Sequence, residues 1–106
     1  MIQFKYMKAT WNGKVVAEAS KEDLILIEGN YYFPPTSVKR EFFTDSETHS
    51  TCPWKGLASY YNVVVDGVEC KDGAWYYPIP KDGSVEKVGK DFANYVAFWN
   101  GVEVGE

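Results

Sequence analysis

The sequence lacks a long apolar run: no stretch of its 106 residues approaches the ~20 that a membrane-spanning helix needs, so no membrane partner is expected. Met1-Ile2-Gln3-Phe4-Lys5-Tyr6 has no extended apolar segment, which argues against a secretory leader. Cysteine is scarce. Cys52 and Cys70 are the only two, and neither belongs to a Cys-x-x-Cys pair, so neither a tetrahedral zinc site nor a thioredoxin-like centre is visible and no metal or cofactor is expected. Free thiols in a reducing compartment, the cytoplasm, are the expectation. Excess positive charge is absent as well. Eleven bases against fifteen acids leave a net charge of -4, which provides no field for bulk nucleic-acid binding. A phosphate-cradling Gly-rich loop, a Ser nucleophile elbow and low-complexity stretches are also missing, and with them the P-loop, kinase and hydrolase readings.

Aromatic material is plentiful. Six Phe, eight Tyr and four Trp make up 17% of the chain. Each ring buries roughly 150–250 Å² in a core, so one domain spanning residues 1–106 can be stable without disulfides.

Short strand-like runs alternate with turn dipeptides. Asn12-Gly13 separates Tyr6-Met7-Lys8-Ala9-Thr10-Trp11 from Val15-Val16-Ala17-Glu18-Ala19, the strongest short hairpin signal because a type I′ turn needs positive φ at both central residues. Leu24-Ile25-Leu26-Ile27, the turn Glu28-Gly29-Asn30, and Tyr31-Tyr32-Phe33 read as a second hairpin, with Gly29 and Asn30 taking the positive φ. Residues 35–43 are the best helical segment, with proline in the first turn. Residues 44–50 are small and polar and read as a loop. Residues 57–65 form a strand, Asp66-Gly67 a turn, Val68-Glu69-Cys70 its return, and Lys71-Asp72-Gly73 another turn before Ala74-Trp75-Tyr76-Tyr77. Tyr95-Val96-Ala97-Phe98-Trp99, Asn100-Gly101 and Val102-Glu103-Val104 read as a last hairpin. The pattern predicts an all-β fold with one short helix. Edge strands make a monomer or a weak homodimer the expected state.

Chemistry-bearing residues gather in two places. Thr48-His49-Ser50-Thr51-Cys52-Pro53-Trp54-Lys55-Gly56 puts a thiol, an imidazole, an ammonium and an indole within a few positions. Lys55 near Cys52 favours a thiolate, and His49 offers a base, so Cys52, Lys55 and His49 are the candidate catalytic residues of an enzyme reading. The competing reading makes Cys52 an inert core thiol and Lys55 a solvated loop charge. Strand-end aromatics form the second group: Tyr32, Phe33, Trp54, Trp75 and Tyr77 can converge on a pocket for a flat ring or a cation, or can simply pack the core. Glu28, a carboxylate at the end of an apolar strand, needs exposure or a base such as Lys55, Lys39 or Arg40.

The segments Glu28-Gly29-Asn30-Tyr31-Tyr32-Phe33-Pro34, Thr51-Cys52-Pro53-Trp54-Lys55-Gly56, Ala58-Ser59-Tyr60-Tyr61 and Ala74-Trp75-Tyr76-Tyr77-Pro78, with Ala9-Thr10-Trp11-Asn12-Gly13 and Tyr95-Val96-Ala97-Phe98, resemble the family catalogued as Domain of Unknown Function 427. That resemblance implies a β-tent-like fold of two antiparallel sheets and carries the label nucleotidyltransferase-like. Related domains hold a structural zinc on four cysteines, a set this chain lacks. The motif positions are Glu28, Tyr32, Phe33, Cys52, Trp54, Lys55, Tyr60, Trp75 and Tyr77, and the resemblance assigns them no roles. The expected function is binding of a small planar or cyclic ligand in an aromatic-lined pocket, with Glu28, Tyr32, Phe33, Trp54, Lys55, Tyr60, Trp75 and Tyr77 around it and Lys55 and Glu28 as polar anchors. The alternatives are a nucleotidyltransferase-like or thiol-dependent enzyme using Lys55 or Cys52, and a protein-interaction module presenting the same aromatics on a flat face.

Overall fold

The computed structural model describes residues 5–106; residues 1–4, read above as lacking an apolar leader, lie outside them. Strands β1 (Tyr6–Trp11) and β2 (Lys14–Ser20) form the first hairpin, with Asn12 at φ 47° and Gly13 at φ 78° as a type I′ turn requires. β3 (Ile25–Ile27) and β4 (Asn30–Tyr32) form the second. β5 (Phe43–Cys52), β6 (Gly56–Val65), β7 (Val68–Tyr76) and β8 (Val96–Phe98) make a four-stranded antiparallel sheet in that order. β9 (Glu103–Gly105) joins the free edge of β1. The fold is all-β with one short helix, α1 (Ser84–Val88).

Several details differ from the sequence reading. Three sheets occur where two were expected, because the backbone pairing of the β3–β4 ribbon with the large sheet is confined, among the described residues, to the mutual bonds of Phe33 and Val96, at 2.8 and 2.9 Å. The helix lies not at 35–43 but between Gly83 and Gly89, both at positive φ. Five residues are too few for helical periodicity to register. Residues 35–43 hold two separate 3-10 turns instead, since the Lys39 N–H donates to the Val16 carbonyl at 2.8 Å and holds Val38 extended between them. The polar stretch 44–50 is part of β5, an edge strand whose backbone pairs with β6. Pairing is indifferent to side-chain polarity when one side faces water. Lys71-Asp72-Gly73 is a bulge within β7, with Asp72 at φ 55°. Finally, β8 and β9 are not a hairpin: Asn100-Gly101 carries the chain from the four-stranded sheet to the three-stranded one.

Alternation along the strands of the large sheet gives it two packed faces. Tyr61, Ala74, Tyr76, Val96 and Phe98 point to the three-stranded sheet, where they meet Ala9, Val16 and Phe33. Ala58, Tyr60, Trp75, Tyr77 and Ala97 point the other way, toward Ile25, Ile27, Tyr32 and Phe92. The β3–β4 ribbon covers only part of this second face, and the uncovered part carries the candidate site.

Candidate functional site

Lys55 is the one lysine among the described residues whose side chain is buried, at 7% exposure. Its position follows from the turn between β5 and β6. Gly56, at φ 113°, lets residues 79–81 pack against the turn: a Cβ there would lie 3.2 Å from the Lys81 nitrogen, and that nitrogen donates to the Lys55 carbonyl at 2.9 Å. The Lys55 stem is thereby held inward. Its Nζ donates to Glu28 Oε1 at 2.5 Å and lies 5.3 and 5.5 Å from the ring centroids of Tyr77 and Trp54. Burial alone disfavours the ammonium, but the Glu28 hydrogen bond, with Tyr32 and Tyr77 adding to it, outweighs that penalty and raises the Lys55 pKa well above its ordinary value. Reciprocally, the Lys55 hydrogen bond and charge hold Glu28 below the usual carboxylate range.

Glu28 sits at φ 52° beside Gly29 at φ 82°. These two, not Gly29 and Asn30, are the central residues of the turn, because Ile27 pairs with Asn30 across a two-residue loop. The other non-glycine residues at positive φ in the described chain are all Asn or Asp, which tolerate that region. A glutamate there is unfavourable for the turn itself, and the reach of its carboxylate to Lys55 accounts for it.

A partly open cavity of about 320 Å³ lies beside this pair, lined by Asn30, Lys55, Tyr60, Trp75, Tyr77 and Trp99. Trp75 and Trp99 meet edge-on with centroids 5.5 Å apart, and Tyr60 faces Trp99 at 6.4 Å. The polar ends of these rings are already engaged. Trp75 Nε1 donates to Tyr32 Oη at 3.1 Å, Trp99 Nε1 donates to the Asp72 carbonyl at 2.5 Å, and the Tyr60 and Ser50 hydroxyls share a bond of 2.8 Å. The bulge at Asp72 therefore positions Trp99. The Asp72 carboxylate is in turn held by the Ser46 and Thr48 hydroxyls.

Of the residues singled out in the sequence, Lys55, Tyr60, Trp75 and Tyr77 line the cavity. Glu28 stands behind Lys55, outside the lining. Tyr32 is fully buried beneath Trp75 and supports it. Phe33 does not reach the cavity: directly following Tyr32 on extended backbone, it points to the other side and enters the opposite core, where it is 0% exposed and packs edge-on against Phe98 at 5.5 Å. Trp54 borders a separate depression with Pro53, Lys81, Lys87 and residues 82–84, and Lys87 Nζ lies 4.5 Å from its ring centroid. Trp99 was not among the sequence candidates, and Asn30 was read there as a turn residue. The signal for Trp99 was available in the Trp-Asn-Gly triplet, an aromatic set directly on a turn.

His49 and Cys52 are three residues apart on β5 in regular register, so they fall on opposite faces of the sheet. The His49 ring instead meets the Ser59 hydroxyl at 3.2 Å. Both cysteines are free. Among the described residues no three His, Cys, Asp or Glu side chains converge as a metal would require, and no helix is long and apolar enough to cross a membrane.

Burial raises the Tyr77 phenol from 10 to about 12, and burial together with neighbouring Tyr61 does the same for Tyr76. A raised acid pKa leaves stability intact below pH 10, the unfolded value, and removes it as pH climbs toward 12. Absorbance titration should find two phenols ionising after the others, with thermal stability falling across that window. Ionisation of all eight tyrosines as one class near pH 10 would contradict this burial.

The family comparison is decisive for ancestry. A family model described as a domain of unknown function, DUF427, matches residues 3–105. The chain belongs to that family. No curated protein matches the sequence. Membership in DUF427 by itself assigns no activity to the site.

Proposed function

We propose that this DUF427 domain binds a small planar ligand in the cavity walled by Tyr60, Trp75, Tyr77 and Trp99, with Lys55 as its polar anchor and Glu28 holding Lys55 in place. One observation carries the reading: a half-exposed indole, Trp99, at 46% exposure, stands against Trp75 over a concavity whose only charged lining group is a buried ammonium. Aromatic walls with a few convergent polar groups are the usual make-up of small-molecule sites, and about 300 Å³ is the lower end of their volume range. The concave arrangement favours a small ligand over the flat face that a protein partner would use. A Cys52–His49 nucleophile has less support, since the two side chains leave the strand on opposite faces. The free thiols fit a reducing, cytoplasmic setting.

A thermal-shift screen of flat-ring compounds, spanning aromatic acids, nucleosides, cyclic amides and aromatic amines, tests the reading. A ligand at about 100 times its Kd adds roughly 2.7 kcal/mol to the native state. At least one class should raise Tm by several degrees, and Trp99→Ala, which removes an exposed ring and leaves the core filled, should fold normally and lose that response. A response unchanged in Trp99→Ala, or silence across all four classes, would overturn the proposal.

A further inference from the structure

Lys55 does more than mark the cavity; its valence defines what can enter. The ammonium has three N–H donors. One is taken by Glu28, the Tyr77 phenol lies within reach of a second, and no other acceptor among the described residues takes the third. Those donors belong to a side chain more than nine-tenths buried, at the wall of the cavity. The compensating carboxylate does not face the same space: Glu28 is 55% exposed and absent from the lining. Every other lining group is uncharged. A molecule inside the cavity therefore meets the positive member of the pair and not the negative one. The π-faces of Tyr60, Trp75 and Trp99 would by themselves suit a cation, but a fixed positive charge on the same wall opposes one. The indole donors of Trp75 and Trp99 are spent on Tyr32 and Asp72 and the Tyr60 hydroxyl is shared with Ser50, so Lys55, the Tyr77 phenol and the Asn30 amide are left to read the ligand's polar atoms.

Building on the function proposed above, we infer that the ligand is a small aromatic monoacid of one or two fused rings, its ring lying among Tyr60, Trp75 and Trp99 and its carboxylate accepting hydrogen bonds from Lys55. The volume limits the ring system, since about 320 Å³ does not admit a dinucleotide-sized molecule. Glu28 competes with the ligand for the same ammonium. Its exposed carboxylate can turn to water when an anion arrives, which makes occupancy sensitive to that side chain.

Three nearly isosteric probes separate the charge states: benzoate, benzamide and benzamidinium. They are titrated into the intact domain at low salt, with binding read by calorimetry and by the indole N–H resonances. A charge-assisted hydrogen bond in place of a neutral one corresponds to a preference on the order of tenfold. Benzoate should bind about ten times more tightly than benzamide, and benzamidinium least. Lys55→Met should erase the difference between benzoate and benzamide. Glu28→Gln should raise the ratio of benzoate to benzamide affinity severalfold, a result that stands even where Lys55→Met folds poorly. Equal binding of benzoate and benzamide, or preference for benzamidinium, would overturn the acid assignment and leave the cavity reading standing. Failure of all three probes to bind would remove the acid assignment, and silence across the wider screen as well would remove both.

Discussion

Phe33→Ala is expected to lower stability by about 3–5 kcal/mol, the usual cost of truncating a fully buried phenylalanine to alanine. Phe33 is completely enclosed between the two larger sheets, edge-on to Phe98, and its backbone supplies both hydrogen bonds of the bridge to Val96. The cavity left would lie where the β3–β4 ribbon is fastened to the large sheet. For a domain of this size a loss of that order consumes a large part of the total stability, so urea denaturation should show a much lower midpoint. The volume-sparing Phe33→Leu should recover most of it and bind ligands as the unaltered chain does. A loss below about 1 kcal/mol for Phe33→Ala, or a ligand response abolished in a well-folded Phe33→Leu, would place Phe33 in the site and contradict its position in the core.

The second large effect is an asymmetry. Glu28→Gln should cost about 1–2 kcal/mol, and Lys55→Met less than about 1 kcal/mol, although both break the same ion pair. Removing one member of a fully buried pair typically costs about 3–5 kcal/mol because a charge is left unpaired. Here only Lys55 is buried, and the exposure of Glu28 screens the pair and reduces the figure. Without the Glu28 charge, the ammonium stays inside facing Tyr77 and Trp54. Without the ammonium, Glu28 simply hydrates, and a methionine fills the space of the lysine stem against the same rings. Because the Glu28 pKa is lowered by Lys55, the pair's contribution is complete above the ordinary value of 4.5 and is lost as pH falls through the lowered one. The difference between the unaltered chain and Glu28→Gln should accordingly shrink in strong acid. Denaturation midpoints at pH 7 and pH 2 check both points; a larger loss in Lys55→Met than in Glu28→Gln would invert the account.

How much of this was legible in the sequence varies with the range of the interaction. Turn chemistry was local and largely readable: Asn12-Gly13 specifies its hairpin through backbone φ, and the second hairpin was legible too, although its central residues are Glu28 and Gly29 and not Gly29 and Asn30. That Glu28 must be exposed or meet a base, with Lys55 among the three candidates, followed from the cost of a charge beside an apolar strand. The destination of Phe33 was not readable. Tyr32 and Phe33 are adjacent and so face opposite ways, and only tertiary packing decides which of two cores each enters. β5 was hidden because an edge strand takes its pairing from a neighbour and needs no apolar pattern of its own. Trp99 was obscured by a correct turn with the wrong consequence. Asn100-Gly101 does reverse the chain, but it delivers the next strand to a different sheet and leaves the indole over the cavity.

The central claim is that the concavity under Trp99 takes the ligand. Its most direct test is the behaviour of the four indole N–H resonances as benzoate, benzamide and benzamidinium are added in turn. The expected result is that the Trp75 and Trp99 signals move with saturation by at least one probe while Trp11 and Trp54 stay in place. Saturable movement confined to Trp54 or Trp11, with Trp75 and Trp99 unmoved by a probe that binds, would contradict it.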